Sequence, residues 1–221
     1  MTETNLDKNI KAILLDLDGT LVDTSELIIN SLKQTLSIFG KEVALEELRS
    51  KSKQSPSQIL KYYLPNIKYN ESKEKYWRFY KESFNSQIKA FSGVVDVVKE
   101  LADRGYKLGI VTSLASYYAK KALEVTGLSE NIEVVVAYQD TTKHKPDPEP
   151  IKEAIKRLQV NPIQTLYVGD SQSDIIAGKR AGVYTAAALW GVPDATEKNA
   201  LLHQNPNYQF KSISDLKKLS V

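Results

Sequence analysis

Short apolar runs recur along the chain and alternate with segments of helical periodicity. The first run, residues 10–15, is almost continuous and stops at Asp16, as expected of a strand that is buried on both faces. Similar runs occupy residues 108–111, 134–137, 166–168 and 184–189. Helical spacing of apolar residues occupies 94–101, 117–127, 151–158 and 175–182. This alternation predicts a parallel sheet that is covered by helices on both faces.

The segment from about residue 24 to residue 90 breaks this alternation, because it reads as one helix after another. The predicted helices span residues 27–39, 45–53, 56–64 and 71–86. The last one carries a stripe of aromatic side chains that is typical of core packing in a small bundle: Tyr76, Trp77, Tyr80 and Phe84. Such a block of helices is too long to be a simple connection between two parallel strands. We therefore expect an α/β core of residues 1–23 and 91–221, with a helical domain of residues 24–90 inserted into it.

Composition excludes some classes of function. The chain has 221 residues, enough for one or two domains, and its formal net charge of +3 gives no indication of nucleic acid or an acidic membrane surface as a partner. The absence of cysteine excludes disulfides, thiol nucleophiles and cysteine metal sites. The polar N-terminus lacks the apolar core of a signal peptide, and no apolar run is long enough for a bilayer. We expect a cytoplasmic protein, either a monomer or a homodimer.

Polar side chains suited to phosphate chemistry follow three of the predicted strands. They are Asp16 and Asp18, Thr112 and Ser113, and Asp170 and Asp174. A cation, Lys145, lies in the loop 143–148 that leads into a helix. Ligands of open parallel sheets bind outside the carboxyl ends of the strands, so we expect these groups to converge there.

Each of these features also has a simpler interpretation. Asp18 and Gly19 by themselves fit the turn of a β-hairpin, but that turn would leave the Asp16 carboxylate unpaired in an apolar strand. The two later aspartates fit charges at a helix N-terminus, and Lys145 fits a surface lysine. A calcium-binding loop is excluded because the glycine directly follows the second carboxylate. The joint occurrence of these residues, in this order, favours one site.

Four stretches carry a resemblance to a known family: residues 16–23, 110–113, 145–148 and 168–174. In these stretches the chain resembles the haloacid dehalogenase-like hydrolase superfamily, specifically its phosphatases with a helical cap domain inserted after the first strand. Phosphoglycolate phosphatase-like enzymes are the most similar subgroup. The resemblance implies a Rossmann-like core and an enzyme that hydrolyses a small phosphorylated metabolite.

The resemblance also implies the roles of the catalytic residues. Asp16 is expected to attack phosphorus and form an aspartyl phosphate. Asp18 is expected to protonate the leaving group and then to deprotonate water. Lys145 is expected to keep Asp16 ionised and to bind the phosphoryl group, with Asp174 orienting the lysine or the metal waters.

The remaining predicted site residues bind the metal or the phosphoryl group. Mg²⁺ is expected on the carboxylates of Asp16 and Asp170 and on the backbone carbonyl of Asp18. Thr112 and Ser113 are expected to bind phosphoryl oxygens. Gly19 and Thr20 are expected to support the first motif, which is the first of the four stretches, residues 16–23. In the inserted domain, Lys51 and Lys53 are expected to hold an anionic substrate, and the alternative for them is a solvated charged turn.

Related activities remain as alternatives. The dehalogenases of the superfamily lack the second aspartate, here Asp18. The β-phosphoglucomutases typically carry Glu-Asp where this chain has Gly169 and Asp170, so the sequence favours hydrolysis. A pyrophosphatase would use the same chemistry. A non-catalytic protein that binds a phosphorylated ligand would need neither a nucleophile nor a proton donor.

Overall fold

The computed structural model describes residues 10–51, 54–192 and 194–219, and the chain divides into two compact units. The first unit contains the chain up to Asp23 and again from Ala90, and the second unit is Thr24–Lys89. Within the described ranges, no helix combines the length and the apolar character that crossing a membrane requires.

The described residues contain both of the predicted types of element. The strands are β1 (Ala12–Leu15), β2 (Val22–Asp23), β3 (Lys89–Ala90), β4 (Lys107–Val111), β5 (Val134–Val136), β6 (Thr165–Gly169), β7 (Tyr184–Ala188) and β8 (Tyr208–Phe210). The helices are α1 (Ser25–Ile38), α2 (Leu45–Ser50), α3 (Pro56–Tyr63), α4 (Tyr69–Gln87), α5 (Val94–Asp103), α6 (Ser116–Thr126), α7 (Glu149–Leu158), α8 (Gln172–Ala181) and α9 (Ala195–Leu202).

Six strands form one sheet in the order β5-β4-β1-β6-β7-β8, and every neighbouring pair is parallel. The predicted fold class, a parallel α/β sheet with flanking helices, is confirmed. Leu15, at the end of β1, pairs with Ile110 of β4 and with Val168 of β6. The residues that follow these three strands therefore meet at one edge of the sheet, beside the point where the strand order reverses.

The core of the first unit explains why β1 is a central strand. All four of its residues are fully buried, which an apolar run tolerates on both faces. Leu14 of β1 and Tyr167 of β6 belong to a cluster with the apolar faces of α7 and α8. The α7 members recur at helical spacing: Ile151, Ala154, Ile155 and Leu158. This apolar layer supports the strand ends that carry the polar residues.

Two helices begin at features that apolar periodicity does not show. Ser92 has the side chain of an N-cap, but α5 begins at Val94 after Gly93, whose left-handed backbone has a φ of +78°. Helix α9 has no apolar periodicity that predicts it. It begins because the Asp194 carboxylate accepts hydrogen bonds from the first backbone N–H groups of the helix.

The second unit consists of α1 to α4 and their connections. Helix α1 packs against α2, α3 and α4, and α3 also packs against α4. Three members of the aromatic stripe on α4 are buried: Tyr76, Tyr80 and Phe84. Trp77 is 37% exposed, because it lies one position round the helix from the buried face.

The chain leaves the first unit and returns to it at neighbouring points. The backbone N–H of Phe91 donates to the carbonyl of Leu21, with the nitrogen and oxygen atoms 3.0 Å apart. Both residues belong to the first unit. The insertion after β2 therefore leaves the pairing of the six-stranded sheet uninterrupted.

Candidate active site

A cavity of about 210 Å³ lies at the carboxyl ends of β1, β4 and β6. Its lining includes seven predicted site residues: Asp16, Asp18, Thr112, Ser113, Lys145, Asp170 and Asp174. Leu114, Ser171 and Ser173 also line it. The structure thus brings together groups that are up to 158 residues apart in sequence, from Asp16 to Asp174.

Asp16 and Lys145 form a buried ion pair in this cavity. Lys145 Nζ lies 2.6 Å from Asp16 Oδ1, and the two side chains are 6% and 7% exposed. The Asp16 N–H donates to the Val168 carbonyl at 2.9 Å, so the residue continues the pairing of β1 with β6. This arrangement suits a nucleophile, because the backbone fixes the carboxylate and the cation favours its ionised form.

Two further side chains hold Lys145, and the sequence did not reveal one of them. Asp174 Oδ1 accepts a hydrogen bond from Nζ at 2.6 Å. The Tyr167 hydroxyl accepts another at 3.1 Å and donates to Asp174 Oδ1 at 2.9 Å. Tyr167 is fully buried in β6. Its hydroxyl is the one side-chain polar group in the apolar run 166–168, and that was the signal available in the sequence.

Burial and like charges perturb the titration of this cluster. Burial raises the pKa of the Asp16 carboxyl to about 7, although Lys145 acts in the opposite direction. Burial, followed by the charges of Asp16 and Asp174, holds the pKa of Asp170 well above its usual range. Burial would lower the pKa of Lys145, but the neighbouring carboxylates outweigh it and raise that pKa. Among the described residues that line the cavity, one ammonium group faces four carboxyl groups.

This excess of carboxyl groups fits a divalent cation. One oxygen atom from each of Asp16, Asp170 and Asp174 lies within 4.8 Å of the others. Such an all-oxygen set is what Mg²⁺ prefers, and a divalent charge would compensate the carboxylates that Lys145 does not. The family resemblance groups Asp16 and Asp170 with the backbone carbonyl of Asp18, and the residue Asp18 also lines the cavity. The structure adds Asp174 as a third nearby carboxylate.

The loop between Asp18 and Thr20 lies against Asp170. Gly19 has a φ of +85°, and a Cβ atom there would lie 2.3 Å from Asp170 Oδ2, so a side chain would strain the backbone and displace the Asp170 carboxylate. Thr20 is fully buried, and its Oγ1 donates to Asp170 Oδ1 at 2.8 Å. The two residues predicted to support the first motif therefore contact a predicted metal ligand.

Thr112 and Ser113 contribute hydroxyl groups to another part of the cavity. Thr112 is 5% exposed, and its Oγ1 accepts a hydrogen bond from the Leu114 N–H at 3.1 Å. Ser113 is exposed, and α6 begins three residues later at Ser116. Hydroxyl and N–H groups just ahead of a helix favour an anion such as phosphate.

The predicted cations of the second unit are described only in part. Lys53 lies outside the described residues. Lys51 Nζ lies 4.3 Å from the centre of the Tyr62 ring, so its ammonium group has an aromatic partner. Arg49 pairs with Glu26 at 3.1 Å. An anion-binding role for Lys51 and Lys53 stays a prediction.

Comparison with known proteins assigns the family. A family model described as haloacid dehalogenase-like hydrolase matches residues 13–188. Pyrophosphatase PpaX of Oceanobacillus iheyensis is 34% identical over 218 residues, covering 94% of this chain and 95% of that protein. Pyrophosphatase PpaX of Bacillus velezensis is 35% identical over 215 residues, covering 95% of this chain and 96% of that protein.

A solved structure supports the fold. It is that of a predicted phosphoglycolate phosphatase of Haemophilus somnus, with a TM-score of 0.81 and 21% identity, covering 95% of this chain and 97% of that chain. The chain belongs to the haloacid dehalogenase-like hydrolase family. The matched residues include every predicted residue of the cavity. The predicted superfamily is confirmed, and so is the predicted enzyme class, a phosphatase of this superfamily.

Proposed function

We propose that the chain is a magnesium-dependent phosphatase that transfers a phosphoryl group first to Asp16 and then to water. The observation that carries the proposal is the buried contact of 2.6 Å between Asp16 Oδ1 and Lys145 Nζ at the end of β1. A nucleophilic carboxylate needs a fixed position and a neighbouring cation. This pair supplies both.

The proposed reaction has two displacements at phosphorus. In the first, an Asp16 carboxylate oxygen attacks phosphorus while the bond to the leaving oxygen breaks, and Asp18 gives that oxygen a proton. In the second, Asp18 takes a proton from water, the water oxygen attacks phosphorus, and the bond from Asp16 to phosphorus breaks. Inorganic phosphate leaves, and both carboxyl groups return to their initial states.

The phosphoryl oxygens are proposed to bind Lys145 Nζ, the Thr112 hydroxyl and the N–H groups near Ser113. These donors stabilise the charge that spreads over the equatorial oxygens in the transition state. Asp174 keeps the ammonium of Lys145 in place through the contact of 2.6 Å.

Asp16 and Asp170, together with the carbonyl of Asp18, are proposed to hold the metal ion. When bound, Mg²⁺ supplies positive charge that neutralises the phosphoryl group and favours the ionised nucleophile. The support for this assignment is the oxygen cluster of Asp16, Asp170 and Asp174, in a cavity whose described lining has four carboxyl groups and one ammonium group.

Small phosphorylated metabolites are the proposed substrate class, with monoesters such as phosphoglycolate as first candidates. Inorganic pyrophosphate is the second candidate, because two relatives named pyrophosphatase are 34% and 35% identical over almost the whole chain. The helical unit is proposed to be the cap domain that selects between leaving groups. A phosphate leaving group needs less protonation than an alkoxide, so the two substrates should depend differently on Asp18.

The test is phosphate release by the purified chain from 2-phosphoglycolate, pyrophosphate, p-nitrophenyl phosphate and β-glucose 1-phosphate. We expect turnover with Mg²⁺, loss of turnover in EDTA, and none with the near-isosteric variant Asp16→Asn. Beryllium fluoride should form an adduct with the Asp16 carboxylate. Full activity in EDTA would contradict the metal site, and full activity of a folded Asp16→Asn variant would contradict the nucleophile. Tight binding of a phosphorylated ligand without turnover would favour the non-catalytic alternative.

A further inference from the structure

The loop after β7 contacts the first motif, although it belongs to none of the four matching stretches. Trp190 Nε1–H donates to the carbonyl of Thr20, with the nitrogen and oxygen atoms 2.9 Å apart across 170 positions of sequence. Thr20 Oγ1 in turn donates to Asp170 Oδ1 at 2.8 Å. Trp190 is thus linked through one residue to a carboxylate of the acidic cluster.

Gly191 approaches the same loop even more closely. A Cβ atom built on Gly191 would lie 1.7 Å from the Gly19 carbonyl oxygen and 3.3 Å from Asp170 Cβ. Real Cβ atoms essentially never come within 3.0 Å of another heavy atom in this way. Any side chain at position 191 would therefore displace the Gly19 carbonyl or move the loop after β7.

The loop that makes these contacts is itself well anchored. Leu189 N–H donates to the carbonyl of Phe210 in β8 at 2.9 Å. Val192 is 4% exposed and lies in an apolar cluster with residues of α8, β7 and α9: Ile175, Ala187 and Leu201. The Trp190 and Gly191 contacts therefore start from a fixed part of the fold, as a support must.

We propose that Trp190 and Gly191 are positioning residues, which fix the backbone from Asp18 to Thr20 and, through Thr20, the Asp170 carboxylate. The inference deepens the proposed function and rests on it for its catalytic consequence. The Asp18 carboxyl group must reach the leaving oxygen, and misplacement of a catalytic group by about 1 Å can slow a reaction about 100-fold. Neither Trp190 nor Gly191 needs to touch the substrate for this effect.

The first test is the variant Trp190→Phe, which keeps an aromatic ring and removes the N–H donor. Trp77→Phe is the matched control, because it makes the same change in the second unit on a side chain that is 37% exposed. We expect Trp190→Phe to weaken Mg²⁺ binding to the free protein, measured by calorimetry, about fivefold, as for one lost hydrogen bond. We also expect kcat to fall with little change in KM, while Trp77→Phe matches the wild type.

Gly191→Ala should act in the same direction and more strongly, because its Cβ meets backbone rather than a flexible side chain. If this variant fails to fold, the Trp190→Phe comparison decides. A spectroscopic test is also available, because the chain has two tryptophans and Trp77→Phe leaves Trp190 as the single one. Its emission should change when Mg²⁺ is added, since its N–H bonds the loop that contacts Asp170.

Several outcomes would overturn the proposal. Wild-type Mg²⁺ affinity and wild-type kcat in Trp190→Phe would do so. A lower melting temperature with unchanged affinity and kcat would also do so, because the role would then be structural only. A wild-type chain that binds Mg²⁺ but releases no phosphate would refute the proposed function. In that case, the Mg²⁺ affinities of Trp190→Phe and Trp77→Phe still test the positioning, so the two failures are distinguishable.

Discussion

The substitution Lys145→Met would remove the cation that pairs with two buried carboxylates. Lys145 Nζ lies 2.6 Å from an oxygen of Asp16 and 2.6 Å from an oxygen of Asp174, and the lysine side chain is 6% exposed. Methionine is similarly long and flexible but has neither a charge nor an N–H donor. Both carboxylates would then be buried without this partner, so the folded state should lose stability.

The burial of this ion pair determines how much stability the folded state should lose. Removing one partner of a buried ion pair costs about 3–5 kcal/mol, because the remaining charge stays desolvated. Although Lys145 pairs with two carboxylates, we expect a total loss in this range rather than twice as large. A carboxyl group that loses its cation can take up a proton instead. For a chain of 221 residues, each kcal/mol corresponds to roughly 2–4 °C, so the melting temperature should fall by about 6–20 °C.

Thermal unfolding followed by circular dichroism in EDTA measures this shift. Lys143→Met is the matched control, because it changes a lysine of the same loop whose side chain is 70% exposed. Its melting temperature should change by no more than about 2 °C. Phosphate release by Lys145→Met should fall by about 10²–10³-fold, as for other lost transition-state donors. Equal melting temperatures of the two variants would refute the buried pairing of Lys145 with Asp16 and Asp174.

Four further predictions concern single residues. Asp18→Ala should lower kcat by about 10²–10⁴-fold, less for p-nitrophenyl phosphate than for an alkyl monoester, and an equal loss on both would contradict a proton-transfer role. Mg²⁺ at ten times its Kd should raise the wild-type melting temperature by roughly 3–6 °C. Asp170→Asn should remove most of this shift, and an unchanged shift would argue against Asp170 as a ligand. Tyr167→Phe removes the hydroxyl that bonds Lys145 and Asp174, so it should lower the free energy of unfolding by about 1–2 kcal/mol in urea titrations and should also lower kcat. Wild-type values of both quantities would mean that Tyr167 only packs. Lys51→Ala should raise KM for phosphoglycolate and leave KM for p-nitrophenyl phosphate unchanged; the same KM values as wild type on both substrates would assign Lys51 to solvent.

The parallel sheet and the acidic end of β1 were predictable because they follow from the local pattern of apolar and polar positions. An apolar run that stops at Asp16 indicates a buried strand whose carboxyl end carries a carboxylate that needs a partner. The register of β1 with β4 and β6 then brings Thr112 and Asp170 to the same edge without further information. For this reason the cavity residues could be grouped from spacing and family resemblance.

The missed residues depend on contacts that no local pattern encodes. Tyr167 is read as one more apolar position of β6, and only the fold shows that its hydroxyl meets Lys145. Nothing in the sequence around Trp190 indicates that its N–H donates to a carbonyl 170 residues away. Helix α9 depends on the cap at Asp194 rather than on periodicity. The domain boundaries, the cytoplasmic location and the oligomeric state stay predictions.

The hydrogen bond between Leu21 and Phe91 has a consequence for protein engineering. Because the chain departs and returns at two positions joined by this bond, the whole intervening segment is topologically equivalent to a long surface loop. The entropy of closing a loop grows only slowly with its length, so we expect the sheet to tolerate inserts of different size at this point. Modules from other members of the family, or a short glycine-rich linker, could be grafted between Asp23 and Ala90, which keeps every residue of the first unit in place.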